Sequence, residues 1–366
     1  MTALSHIALT LIPSLGNASV RRLVEAYPDE DIFALPKAEL KAAFGAHADI
    51  AESIASKRSH ARAEEELRFC EQNGIRPLFF TDPDFPQRLN RPETGDCPAL
   101  LYVLGRADLD AERTVSVVGT RRATPQGRDM TAQVIRQLKA YNTPIMSGLA
   151  YGIDTAAHTA ALDQGLPTVA VLGHGLDRIY PPSNRGLAKR IVEEGGALLT
   201  EYPSGTAINP RHFPARNRII AALGDATVVV EASEKGGALI TAAIAASYQR
   251  DVFAVPGRLS DPYSRGCNNL IATNRALLLR SADDIAFHLG WPQAGQQTAL
   301  ALDAEPTSLP PAEQRVLDLL REHERLTLDE VATLAQLPLP RAASLLFNLE
   351  MLQRVHTLPG RLYQAR

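Results

Sequence analysis

Thr114-Val115-Ser116-Val117-Val118-Gly119-Thr120-Arg121-Arg122 is the stretch from which the fold is read. Residues 115–118 have the apolar, β-branched character of a buried parallel strand. The glycine that follows allows positive φ and a close approach of the backbone to a ligand. Amides freed in such a turn, at the start of the next helix, favour an anion. Arg121 and Arg122 add planar guanidinium forks that match phosphate oxygens. The stretch therefore predicts a strand, a phosphate turn and a helix, in that order.

Working outward, residues 144–146, 168–172, 197–199, 227–230 and 252–255 read as further strands, with helices at 126–141 and 155–164 between them. This alternation predicts an α/β fold over residues 76–290: an extended Rossmann-like, doubly wound, mainly parallel sheet. Ligands of such sheets bind outside the carboxyl ends of the strands.

Residues 1–75 read as an N-terminal helical domain of helix-hairpin-helix or SAM-like type. Leu11 to Gly16 would form its turn, but Ser14 stands where the first glycine is usual, so a small helical domain with a plain tight turn is preferred over a nucleic-acid-binding hairpin. Residues 53–73 read as one charged helix capped by Gly74, and 75–80 as a first strand. Residues 291–310, rich in Gln, Ala, Thr and Pro, read as a linker. Residues 311–366 show helical patterns at 313–322, 328–335 and 341–352, then a hairpin at 355–363, the arrangement of a winged helix.

At 366 residues the chain is long enough for two or three domains, and 45% hydrophobic with 22% charged residues is ordinary for a globular protein. It carries no secretory signal pattern at its start and no apolar run near the ~20 residues that span a bilayer. Cys70, Cys97 and Cys267 lack metal-ligand spacing and read as reduced thiols, which predicts a cytoplasmic protein without membrane insertion. The net charge is −3, but it is unevenly spread. Residues 1–112 carry 12 Lys/Arg against 18 Asp/Glu, residues 113–218 carry 13 against 7, and residues 219–366 carry 13 against 16. A net +6 in the middle segment fits a focused polyanion site; an ordinary run of surface charge is the alternative.

Five further strand ends carry polar or glycine-rich turns. Ser147 and Gly148 follow the strand at 144–146 and offer a hydroxyl and a free amide beside the first turn. His174 lies between two glycines, ahead of Tyr180 and Arg185, and reads as an exposed turn histidine. Glu201-Tyr202-Pro203 comes next. Arg216, Asn217 and Arg218 then stand ahead of an apolar helix, and Lys235-Gly236-Gly237 ends the series. Asp154 and Glu201 read as caps or as partners that orient arginines, with catalytic carboxylates as the alternative. Arg216 and Arg218 are two positions apart and cannot share one helix face, so one is expected to meet ligand while the other pairs internally. Phe213, Tyr180 and Tyr202 are candidates for base stacking or for packing in the crevice.

Two common nucleotide motifs are absent. The turn G-T-R-R-A-T is not the G-x-G-x-x-G of dinucleotide enzymes, and G-x-x-x-x-G-K-[ST] occurs nowhere. A Rossmann-like group that hydrolyses nucleoside monophosphates pairs a glycine turn with a glutamate, but residues 235–243 keep the glycines and contain no glutamate. This points to binding rather than hydrolysis, with no catalytic residue, cofactor or metal assigned.

The strings VGTRRAT, SGLAYGIDTAAH, AVLGHGLDRIYPPSN, FPARNRIIAAL, GGALITA, DVFAVPG and GCNNLIATNRA resemble, in order and spacing, the DNA-processing protein A family (DprA, also called Smf). The resemblance covers residues 76–280, and the flanking domains match a common three-part layout. Lys235 departs from it, since a Ser-Gly pair is usual before the second glycine. The resemblance implies a non-enzymatic homodimer that binds single-stranded DNA and loads the RecA recombinase onto it during natural transformation. It also implies a pocket formed by Gly119, Thr120, Arg121, Arg122, Ser147, Gly148, Arg216, Asn217 and Arg218, with Arg185 and Lys235 as weaker members. A phosphoribohydrolase-like nucleotide-processing enzyme and a pure adaptor acting through the winged helix are the alternatives.

Overall fold

The computed structural model describes every residue except Met1, Ser14, Asp29, 45–47, 92–93, 293–308, Glu324, Gln353, 359–361 and Arg366. The chain forms two compact units, Met1–Gln296 and Gln297–Arg366.

The first unit opens with helices α1 (Ala3–Thr10), α2 (Asn17–Ala26), α3 (Lys37–Phe44), α4 (Ala48–Ala55) and α5 (His60–Asn73). The single helix expected over 53–73 is broken: Lys57 takes a positive φ of 52° and the chain turns between α4 and α5. The break lets Ile54 on α4 and Ala63 on α5 both reach the core. α5 stops at Gly74, whose φ of 64° is the left-handed conformation of a C-cap, and the Ile75 amide reaches back to the Cys70 carbonyl at 2.9 Å. In the turn between α1 and α2, Ser14 lies outside the described residues.

Strands β1 (Arg76–Phe79), β2 (Leu100–Gly105), β3 (Val115–Val118), β4 (Ile145–Ser147), β5 (Thr168–Leu172), β6 (Ala197–Thr200), β7 (Ala226–Val229), β8 (Asp251–Ala254) and β9 (Leu277–Leu278) form one sheet. Their order is β1-β2-β6-β5-β4-β3-β7-β8-β9. β2 pairs antiparallel with both β1 and β6, and every other pairing is parallel. Between the strands run α6 (Pro125–Leu138), α7 (Ile153–Asp163), α8 (Arg185–Glu193), α9 (His212–Leu223), α10 (Gly237–Ser247) and α11 (Arg265–Ala272), and α12 (Ala282–His288) follows β9. The mainly parallel, doubly wound sheet expected from the sequence is borne out. β2 and β9 were not read from the sequence.

Strands β3 to β7 are buried on both faces, which is why they read as continuous apolar runs. The helices α1–α5 share a core with β1 and β2, in which Ile7, Leu9, Phe79, Phe85 and Leu101 are fully buried. Each such side chain contributes about 1.5–3 kcal/mol. The His6 ring stacks on Phe79 at 3.8 Å, and burial lowers its pKa to about 4. Cys70, Cys97 and Cys267 are free and buried. Burial pushes their thiols up to about 12, 11 and 12, out of the range of thiolate chemistry.

In the second unit, α13 (Pro311–Glu322), β10 (Leu326–Thr327), α14 (Leu328–Ala335), α15 (Leu339–Met351), β11 (Val355–Leu358) and β12 (Leu362–Ala365) form three helices and a sheet of order β10-β12-β11. Val316, Leu320, Val331 and Leu346 fill its core. A capping box starts α14: the Thr327 hydroxyl accepts from the Glu330 amide at 3.3 Å, and the Glu330 carboxylate accepts from the Thr327 amide at 2.7 Å. This is the expected winged helix. Most of the linker read at 291–310 falls outside the described residues.

Arg88 fastens the segment before β2 to Asp225, just ahead of β7. Its Nε and Nη2 reach Asp225 Oδ1 at 3.1 and 3.0 Å, and Asp225 Oδ2 also accepts from the Thr114 amide at 2.8 Å. Both partners are shielded from solvent, so removing one strands the other's charge. Arg88→Ala is expected to lower unfolding free energy by about 3–5 kcal/mol, read by urea titration; a loss below about 1 kcal/mol would show that the pair is not structural.

Candidate nucleic-acid interface

Where β3 ends, the chain next crosses to β4 on one side and later returns to β7 on the other, so the β3–β7 crevice is the switch point of the sheet. A cavity of about 330 Å³ opens there. It is lined by Gly119, Thr120 and Arg121 after β3, by Arg216 and Asn217 of α9, and by the start of α10 with Ile240.

Glu231, just past β7, fixes the arginine turn. Its backbone carbonyl accepts from the Thr120 amide at 2.7 Å. Its carboxylate accepts from the Thr124 amide at 3.0 Å and the Thr124 hydroxyl at 2.5 Å. Thr124 in turn caps α6 by accepting from the Gly127 amide at 3.0 Å, and a Cβ at position 127 would overlap the Glu231 carboxyl. The sequence led us to expect ligand anion at this helix start. The structure fills it internally: the Glu231 carboxylate takes the Thr124 amide and hydroxyl, the Thr124 hydroxyl oxygen takes the Gly127 amide, and the carboxylate's charge meets the helix dipole. Glu231 was visible in the sequence as a strand end, and its charge beside a buried apolar run was the overlooked signal.

α10 differs. Its N-cap, Gly236, provides no side-chain cap, and its first turn faces the cavity. Arg216 is only 3% exposed and lies over Gly148, where a Cβ would overlap its guanidinium. It donates through Nη1 to the Val171 carbonyl, and its buried Nε has no partner among the described residues. Burial lowers its pKa to about 10, opposed by the nearby Asp154 charge. Burial raises the Asp154 carboxyl, and Arg216 and the amides of Ala150 and Gly148 hold it down.

The remaining expected residues fall in different places. Arg122 is exposed beside the turn, its amide donating to the Thr120 hydroxyl at 3.1 Å. The Ser147 hydroxyl is fully buried and donates to the Val117 carbonyl at 2.7 Å, so it offers nothing to a ligand; the parallel pairing of β4 with β3 turns it inward. Residues 213–218 form the first turns of α9 rather than a segment ahead of it. Arg218 therefore points away from Arg216 and forks onto Glu201 at 2.7 and 2.6 Å. Burial works against its charge, but Glu201 more than offsets this and raises its pKa. Arg185 opens α8, exposed and away from the cavity lining, while Lys235 lines a neighbouring groove on α10.

His174 is buried, not exposed: Nδ1 pairs with the Gly175 carbonyl at 2.9 Å and Nε2 accepts from the Tyr180 amide at 3.3 Å. This holds Tyr180, whose ring lies 5.6 Å from Phe213, which in turn lies 5.5 Å from the Arg121 guanidinium.

The family model of DNA recombination-mediator protein A matches residues 76–290, the part of the chain that builds this cavity. The chain belongs to that family. The DprA winged helix domain matches residues 300–361. Protein Smf of Synechocystis is 35% identical over 348 residues, covering 86% of each chain. The X-ray structure of DNA processing protein A from Streptococcus pneumoniae superposes with a TM-score of 0.68 at 33% identity, over 78% of this chain and 98% of that one. The Helicobacter pylori DNA processing protein A, described for its single-stranded DNA binding mode, gives a TM-score of 0.52 at 30% identity, over 59% of this chain and 95% of its own. The family read from the sequence strings is thus the family of the chain.

Behind the cavity, the His158 Nε2 accepts from the Leu149 amide at 3.3 Å, and its Nδ1 meets the Thr168 hydroxyl at 2.7 Å. Burial lowers His158 to about 3, and the Arg216 charge adds to this. Unfolded, the ring titrates near 6.5 and takes up a proton that the folded state refuses. Its contribution is therefore full above about pH 6.5 and is lost as pH falls toward 3. Urea unfolding from about pH 6.5 downward is expected to lose stability less steeply in His158→Gln, by about 1.4 kcal/mol per pH unit; parallel slopes would show that the ring is not held neutral.

Proposed function

We propose that this chain binds single-stranded DNA at the β3–β7 crevice and loads the RecA recombinase onto it, acting in the cytoplasm as a homodimer. The observation that carries the reading is the pairing of Arg121 with the buried Arg216 in one switch-point cavity, beside the uncapped start of α10. Guanidinium forks and free amides hold phosphates without reading sequence, as a loader of arbitrary strands requires. The Helicobacter pylori relative, which binds single strands, supports the ligand class. Gly119, Thr120, Arg121, Arg122, Arg216 and Asn217 are the proposed contacts, with Gly148 as the seat of Arg216. Residues 235–243, at the start of α10, carry no carboxylate, which supports binding over the cleavage expected of a nucleotide-processing enzyme.

Fluorescence anisotropy of a labelled oligonucleotide across a salt series tests the site. The wild type is expected to prefer single strand to duplex. Arg121→Ala with Arg122→Ala is expected to weaken binding and flatten the salt slope by about 1.4, at about 0.7 for each phosphate no longer neutralised. Unchanged affinity would place the site elsewhere. Removing residues 311–366 is expected to leave strand affinity and RecA stimulation in place; loss of stimulation alone would favour the adaptor reading.

A further inference from the structure

The cavity is a recess, not a groove. At about 330 Å³ it sits at the low end of small-ligand pockets, which span about 300–1,000 Å³. That is room for one nucleotide unit, not for two in succession.

Its lining combines charge with apolar surface. Arg121 and Arg216 share the lining with a single carboxyl, Asp154. Arg216 makes one hydrogen bond among the described residues, and its Nε is buried with none. The helix start of α10 alone would say little, but a nearly fully buried guanidinium short of acceptors beside it suits an anion. The apolar lining is Phe213, whose ring lies 5.5 Å from the Arg121 guanidinium, with Pro214 and Ile240, the last 47% exposed. Asn217 lines the cavity, and its side-chain amide makes no hydrogen bond among the described residues. It offers a donor and an acceptor to a base or sugar edge.

We propose that the cavity takes a single nucleotide, phosphate on Arg121, Arg216 and the start of α10 and base against Phe213 and Ile240, and that a free nucleoside 5′-monophosphate occupies it in competition with single-stranded DNA. The proposal rests on the single-strand reading above. It makes strand binding responsive to free nucleotide, because both ligands need the same buried guanidinium.

The test uses the full chain with thymidine 5′-monophosphate, thymidine and inorganic phosphate as probes. Calorimetry reads direct binding, and displacement of a labelled single strand reads competition. The monophosphate is expected to bind and displace the strand at lower concentration than either thymidine or phosphate. Arg216→Gln is expected to weaken monophosphate binding about tenfold or more, as loss of a charge-assisted hydrogen bond does. Should Arg216→Gln fail to fold by thermal melting, Arg121→Ala is expected to act in the same direction. Equal potency of phosphate and monophosphate would overturn the proposal in favour of a bare phosphate subsite. No displacement while the strand still binds would overturn it and leave the single-strand reading standing. If the strand itself does not bind, that reading fails and the competition with it, while calorimetry with the monophosphate still decides whether the cavity takes a nucleotide.

Discussion

The carboxylate of Glu231 is the constraint on which the site is built. It stands at the start of α6, where a dinucleotide enzyme of this topology would hold its ligand's phosphates. By accepting from Thr124, whose hydroxyl oxygen caps the Gly127 amide, and by lying against Gly127, it puts the protein's own charge at that helix start. Its backbone carbonyl meanwhile grips the other end of the turn through Thr120. The loop carrying Arg121 and Arg122 is thus tied at both ends to the strand across the crevice. Positive potential is left where Glu231 does not reach: at the uncapped start of α10 and at Arg216.

A second carboxylate organises the far side. Glu201 receives both arms of Arg218 and, at 3.3 Å, the amide nitrogen of Asn17. Asn17 also accepts from the Ala99 amide at 3.0 Å, so the start of α2 faces the interior of the unit. The start of α2 is thereby part of the scaffold. Two arginines two residues apart on α9 then divide their work. Arg218 is neutralised within the fold, and Arg216 keeps unspent donors in the cavity lining.

The centre of the sheet was legible because β3 to β7 are buried on both faces and leave unbroken apolar runs. The turn after β3 was legible for the same reason: glycine and arginine stand out against such a run. What sequence could not settle was direction. The Ser147 hydroxyl points into β3 rather than toward ligand, and the His174 ring turns inward to close the loop to Tyr180. The choice between Arg216 and Arg218 depended on which face of α9 met Glu201, a residue from a different strand. β2 passed unnoticed although Leu100 to Leu104 is apolar, since it lies outside the alternating pattern and joins the sheet antiparallel. Helix periodicity carried across Lys57 although the backbone did not, because a change of direction there keeps the same residues facing the core.

Two positions near the crevice lack side chains for the same reason. Gly127 gives up its space to the Glu231 carboxyl, and Gly148 gives up its space to the Arg216 guanidinium. Each glycine and its charged neighbour form one epistatic unit. A methyl group can enter at 127 or 148 only after the neighbour has shortened, and the charged residue can return only after the glycine has been restored. Substitution through this part of the molecule is therefore ordered in time, and drift at these four positions runs along two narrow paths.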